Sequence, residues 1–260
     1  STCINRINAL CQQADRKLLS LYFCAGHPHR DNTLPTLRLL QERGIDMVEV
    51  GIPFSDPMAD GVVIQDAANK ALRNGMTLRL LFEQLGELRP QITIPVVLMG
   101  YLNPILHYGF EPFFAQCTAV GVDGVIIPDL PFHDYLNVVK PLADRYDLRV
   151  IMLITPETSE ERIRFIDEHT DGFIYMVSSA STTGMQDRFD EQKQAYFARV
   201  NAMQLQRPRM IGFGISNRQT LESAQSNAAG AIVGSRFVSL LDQHGDAEKA
   251  IDQLLAALNA

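Results

Sequence analysis

The 260-residue chain reads as one closed (β/α)8 barrel with an extra helix ahead of the first strand. Three observations predict this fold class. Eight short apolar runs recur, at residues 18–23, 47–51, 95–99, 124–127, 150–154, 173–177, 210–213 and 231–234. Successive runs are separated by segments long enough for a crossover helix, as parallel strands require. The first turn lacks the Gly-rich fingerprint of a doubly wound open sheet, so eight such units fit a closed TIM barrel better. With 46% hydrophobic residues, a single domain spanning residues 1–260 can bury a large core on its own.

In chain order, Ile4, Ile7, Leu10 and Ala14 share one face of an amphipathic helix, with Asn5, Arg6, Asn8, Gln12 and Gln13 elsewhere. That pattern is unlike the apolar core of a signal peptide, and no export is expected. Leu34, Leu37 and Leu40 ahead of Gly44, then Leu78, Leu81, Phe82, Leu85 and Leu88 ahead of Pro90, show helical spacing with stop signals. Further helices fit residues 111–120, 134–146, 160–169, 192–205, 218–227 and 247–258. Three helix-to-strand junctions repeat a pattern of Gly followed by a strand: Gly44-Ile45-Asp46-Met47-Val48, Gly121-Val122-Asp123-Gly124-Val125 and Gly230-Ala231-Ile232-Val233. The intervals after the second and sixth strands are the longest. Extra chain therefore sits on the carboxyl-end face, where barrel enzymes build their sites.

Composition narrows the function classes. A net charge of -7 without any Lys/Arg run argues against nucleic acid or an anionic membrane as partner. Small anions remain possible, since backbone N–H groups bind them without basic side chains. Cys3, Cys11, Cys24 and Cys117 form no C-x-x-C pair and no metal-ligand cluster with the histidines, and read as reduced thiols of a cytoplasmic protein. No apolar stretch approaches the roughly 18 residues of a membrane span.

Glu49 is a lone carboxylate in the apolar run Met47-Val48-Glu49-Val50-Gly51. Burial there would raise its pKa, whereas Asp56 and Asp60 in the turn-rich segment that follows would stay ionised, a split that suits acid and base roles. Structural alternatives stand beside this reading. Glu49 could belong to a buried ion pair, Asp60 could cap a helix opening at Gly61-Val62-Val63-Ile64, and Asp56-Pro57 could be a plain turn. The polar segment 178–192 is a candidate lid or an ordinary loop. Gly212-Phe213-Gly214-Ile215-Ser216 and Gly234-Ser235-Arg236 end the seventh and eighth strands, where barrels often hold phosphate with backbone amides. Arg236 could add charge there or face solvent, and Tyr175 could face the pocket or the core.

These residues resemble the α subunit of tryptophan synthase along nearly the whole chain. The resemblance rests on Glu49 through Gly61 with Ile64-Gln65, on Pro128-Asp129-Leu130-Pro131, on Tyr175 with Ser178 and Thr183-Gly184, and on the two Gly-rich strand ends. It implies reversible cleavage of indole-3-glycerol phosphate to indole and glyceraldehyde 3-phosphate. It also implies a pyridoxal-phosphate β subunit as partner in an α2β2 complex, with no cofactor or metal in this chain. Carried over, Glu49 transfers protons at indole C3 and the glycerol hydroxyl, Asp60 binds the indole N–H, and Tyr175 shapes the glycerol site. Tyr22, Tyr101 and Leu153 would line the indole pocket, and Thr183 would close toward Asp60. Gly184, Gly212, Phe213, Gly214, Gly234 and Ser235 would surround phosphate. The pattern departs at Ser181 and Thr182, where Gly-Val is usual, at Val62, where Pro is usual, and at Cys24, where Thr is usual. The expected partner surface combines residues 53–60 with Leu102-Asn103-Pro104-Ile105-Leu106-His107, exposing Phe54, Met58, Ile105 and Leu106. A stand-alone indole-releasing lyase and a noncatalytic phosphate-binding regulatory subunit are the competing readings.

Overall fold

The computed structural model describes residues 4–13, 16–55, 60–178 and 186–260. Strands β1 (Leu18–Cys24), β2 (Met47–Gly51), β3 (Val96–Met99), β4 (Gly124–Ile126), β5 (Arg149–Ile154), β6 (Ile174–Met176), β7 (Arg209–Ile211) and β8 (Gly230–Val233) each pair in parallel with the next, and β8 pairs with β1. The barrel is closed. All eight strands fall where the apolar runs place them, within one or two residues at each end.

Strand side chains alternate between two cores. Leu21, Phe23, Val48, Val50, Val96 and Leu98 point outward into the layer under the helices. Leu18, Met47, Val97, Ile126, Ile151, Phe173, Met210 and Ile232 fill the barrel interior. Burial on both faces is why the strands read as continuous apolar runs rather than alternating ones. Glu49 sits on the inward set, two residues after Met47.

Helix α1 (Arg6–Gln13) closes the amino-terminal end of the barrel: Ile7 is fully buried in the interior core. The Asn5 amide donates to the carbonyls of Asp123 and Asp147 at 2.9 and 3.0 Å. Ile4 precedes the helix and is exposed rather than on its packed face, and Ala14 lies outside the described residues. The repeated Gly-x-Asp junction has a structural use. Asp46 accepts from the Leu19 N–H and Asp123 from the Val96 N–H, both at 2.9 Å, so each buried aspartate clamps the preceding strand.

Around the barrel run α2 (Thr33–Glu42), α3 (Val62–Arg73), α4 (Leu78–Leu85), α5 (Leu102–Tyr108) and α6 (Phe110–Val120). Next come α7 (Phe132–Asp134), a π-helical turn (Tyr135–Val139) and α8 (Lys140–Arg145), joined end to end. The outer layer is completed by α9 (Glu160–His169), α10 (Gln186–Ala202), α11 (Arg218–Asn227), α12 (Ser235–His244) and α13 (Ala247–Asn259). Ser159 caps α9 by accepting from the Arg162 N–H, and Asn217 forms a capping box with Thr220 on α11. No helix of the described residues is long and apolar enough to cross a membrane.

Two elements differ from expectation. Helix α10 begins at Gln186, six residues ahead of the expected 192, so the far part of the polar segment 178–192 is helical and residues 179–185 lie outside the described residues. Residues 102–108 form α5, a helix not among those expected, and Pro104 is tolerated in its first turn, where the missing N–H has no helical partner to lose. A helix must bury one face: Ile105 is fully buried, while Leu106 stays 48% exposed.

Candidate active site

A cavity of about 660 Å³ opens at the carboxyl ends of the strands. It is lined by Tyr22 of β1, Asp60 and Gly61, and Val63 and Ile64 at the start of α3. Tyr175 with Val177 and Ser178, the run Gly212–Ser216 and the turn from Ile232 through Arg236 also line it, the last of these next to Tyr22 because β8 pairs with β1. The structure therefore brings Tyr22, Asp60, Tyr175, Gly212, Phe213, Gly214, Gly234 and Ser235 to one space, as the sequence predicts.

Glu49 lies just outside the open cavity, fully buried, with no hydrogen-bond partner on either carboxylate oxygen among the described residues. The buried ion pair considered from sequence is thus not formed there. Burial alone pushes its carboxyl up to about 8, so the acid is mostly protonated at neutral pH. Tyr22 is its register partner across β1 and β2. Burial raises the pKa of Tyr22, and the charges of Cys24, Asp60 and Glu49 add to it; burial likewise raises Tyr175, with Glu49 and then Asp60 adding. Both acids therefore act on both tyrosines.

Asp60 does not cap α3. The N-cap of that helix is Gly61, without a side-chain bond. The Asp60 backbone carbonyl accepts from the Gln65 amide at 2.6 Å, and its side chain is hydrogen-bonded to Tyr101. Partial burial raises the Asp60 pKa above the ordinary carboxylate value, and the Tyr101 bond opposes that rise. Tyr101 in turn packs on Phe54, ring centroids 5.7 Å apart. Asp129 of the β4 loop fixes the helix that follows Tyr101, accepting from the Leu102 N–H at 2.8 Å. Neither Tyr101 nor Leu153 borders the cavity; Leu153 is the register partner of Tyr175 and braces it from β5.

The phosphate end has the expected glycines for two physical reasons. Gly214 has φ 68°, the left-handed region that disfavours a side chain. A Cβ on Gly212 would come within 2.5 Å of the Tyr175 ring, so that strand end must be bare for the tyrosine to reach the cavity. Backbone amides at the start of α12 add the partial positive charge of a helix N-terminus. Thr183 and Gly184, the remaining implied contacts, lie outside the described residues, as do Asp56 and Met58.

This geometry has close counterparts. The sequence profile of the family Tryptophan synthase alpha chain matches residues 8–259. The chain belongs to that family. A tryptophan synthase alpha chain from Phocaeicola vulgatus is 62% identical over 256 residues, covering 98% of this chain and 99% of its own. The crystal structure of the alpha chain from Legionella pneumophila superposes with a TM-score of 0.88 at 32% identity, over 98% of this chain and 96% of that one. A chain of the tryptophan synthase complex from Pyrococcus furiosus superposes with a TM-score of 0.83 at 33% identity, over 94% and 98%.

Two of the departures from the family pattern fall within the described residues. Val62, in place of Pro, is the first residue of α3 and 81% exposed. Cys24, in place of Thr, is buried, and burial pushes its thiol up to about 12, so it stays protonated. Ser181 and Thr182 lie outside the described residues. Sequence reasoning missed Met99, Val177, Ile232 and Ser239 as lining residues. The signal was available: the first three sit two residues from Val97, Tyr175 and Gly234 on inward strand faces, and Ser239 is one helical turn after Ser235.

Proposed function

We propose that Glu49 and Asp60 of this barrel carry out the reversible retro-aldol cleavage of indole-3-glycerol phosphate, the lyase reaction of the alpha chain family. The observation that supports it most is a protonated, unpaired Glu49 beside a cavity lined by an ionisable Asp60 and by glycine-rich strand ends. Rotation of the Glu49 side chain past Tyr22 and Tyr175 brings its proton to C3 of the indole ring. The ring nitrogen then carries positive charge, which the Asp60 carboxylate stabilises. The Glu49 carboxylate takes the proton of the glycerol hydroxyl as the carbon–carbon bond breaks, releasing indole and the aldehyde and restoring the starting acid. Acid–base chemistry of this kind uses no cofactor of the chain's own.

Gly234→Asp tests the phosphate end. A Cβ at Gly234 would meet Tyr22 only at ordinary contact distance, 3.7 Å, so the variant places a negative charge at the site without crowding the fold. It should weaken glycerol 3-phosphate by at least about tenfold, the scale of one charge-assisted hydrogen bond, and leave free indole binding unchanged. Equal loss for both ligands in calorimetry would rule out a phosphate subsite there.

The partner is a β subunit that carries pyridoxal phosphate, in a cytoplasmic α2β2 assembly. The surface we assign to it is Phe54, half-buried against Tyr101, together with exposed Leu106 on α5; Ile105 is in the core and Met58 lies outside the described residues. Because Phe54 touches Tyr101 and Tyr101 holds Asp60, pressure on this surface acts on the catalytic acid. Indole release should rise on adding a β subunit. Leu106→Asp should lose that stimulation and keep the slow intrinsic rate. Full stimulation of Leu106→Asp would move the interface elsewhere, and no indole release from the unaltered chain would exclude the lyase itself.

A further inference from the structure

We infer that Arg236 is a substrate-affinity residue whose guanidinium ion-pairs with the phosphate group, an inference that rests on the lyase reading above. Arg236 is the second residue of α12 and lines the cavity beside Gly234 and Ser235. It is the one cationic residue among the described lining residues and is exposed, and Asp60 is the one acidic one. The face of α12 turned to the cavity carries Ser235, Arg236 and Ser239, while Phe237, Val238 and Leu240 pack into the barrel layer.

Nothing in the local fold accounts for an arginine at this place. A cation in the first turn of a helix opposes the positive end of the helix dipole, so the position costs stability unless an anion joins it. The arginine makes no ion pair or hydrogen bond with any described residue, in a chain where Arg6, Arg30, Arg43, Arg89, Arg145, Arg149 and Arg218 all pair with carboxylates. The neighbouring Gly212, Gly214 and Gly234 leave backbone open to the same space. A dianionic substrate approaching a chain of net charge -7, with Asp60 lining the same cavity, meets unfavourable charge. Arg236 supplies the local compensation that backbone dipoles provide only in part, and its planar fork suits two phosphate oxygens at once.

The test measures binding of glycerol 3-phosphate and of inorganic phosphate to the full chain by calorimetry, at low and high NaCl. Arg236→Ala, Arg236→Lys and Gly234→Asp are compared with the unaltered chain. Arg236→Ala should weaken both anions roughly tenfold, the worth of one charge-assisted hydrogen bond, and flatten the salt dependence. Arg236→Lys should recover part of the affinity. In the cleavage assay the loss should fall on KM far more than on kcat, because the phosphate is remote from the bond that breaks. Free indole binding and thermal melting serve as checks on folding. Anion affinity and salt dependence unchanged in Arg236→Ala, with Gly234→Asp still weakened, would reject the role of Arg236 and leave the phosphate end standing. Wild-type anion affinity in both variants would reject Arg236 and the phosphate end together.

Discussion

Glu49→Gln should abolish indole release while the barrel remains folded. The amide matches the acid in size and lacks only the transferable proton. Each acid–base step is worth about 10²–10⁴-fold, and Glu49 serves two of them, so the residual rate should be near the detection limit. A second consequence is thermodynamic. The folded-state value of about 8 lies above the ordinary 4.5, so the folded protein holds a proton that the unfolded chain has released. The contribution is complete below pH 4.5 and is lost as pH rises to about 8, a fall in stability of about 1.4 kcal/mol per pH unit, on the order of 5 kcal/mol across the window. Glu49→Gln carries no ionisable group and lacks this slope, so relative to the unaltered chain it should gain stability between pH 5 and pH 8. Urea unfolding at both pH values measures it. Parallel stability curves for the two proteins would mean that the carboxylate is solvated in solution, and wild-type turnover in the folded variant would remove Glu49 from the chemistry. Because the resting acid must be protonated, kcat/KM for cleavage should fall above about pH 8.

What the sequence discloses and what it hides follow from range. Strand positions were legible because burial on two faces makes each strand a continuous apolar run, and Glu49 stood out because it interrupts one of them. The two Gly-rich strand ends were legible for a similar reason: Gly212 is bare to admit Tyr175, and Gly214 takes a positive φ, demands that leave a mark in residue type. Asp60 was ambiguous because cap and catalyst use the same residue beside the same glycine. Its real partner, Tyr101, is far along the chain and on another strand's loop, a pairing that no local pattern encodes. Helix α5 is too short and proline-bearing to show a helical period in the sequence, and it is anchored from outside by Asp129. The burial of Ile105 followed from that helix and could not be read before it. Arg236 was visible as a charge at the right strand end, but its freedom from the ion pairs that occupy so many other arginines required the fold.

Asp60→Asn should lower kcat by about 10²–10³-fold or more, the typical cost of losing one preorganised electrostatic group, with little effect on folding. The amide keeps the shape and can accept from Tyr101, yet it carries no charge to oppose the positive indole ring. A capping aspartate would behave differently, since Asn caps a helix about as well as Asp does. The cap is already absent: Gly61 holds the N-cap position, and the Asp60 side chain is bonded to Tyr101. The Tyr101 bond makes a sharper test possible. Burial raises the Asp60 pKa and the tyrosine hydroxyl lowers it, so Tyr101→Phe should raise it further. The reaction needs Asp60 ionised, so its acid limb in kcat/KM should already lie above the usual carboxylate range and move to higher pH in Tyr101→Phe. In Asp60→Asn that limb should disappear along with most of the rate. An acid limb that stays in place in Tyr101→Phe, together with near-normal turnover in Asp60→Asn, would show that another group carries the positive charge and that Asp60 only shapes the loop.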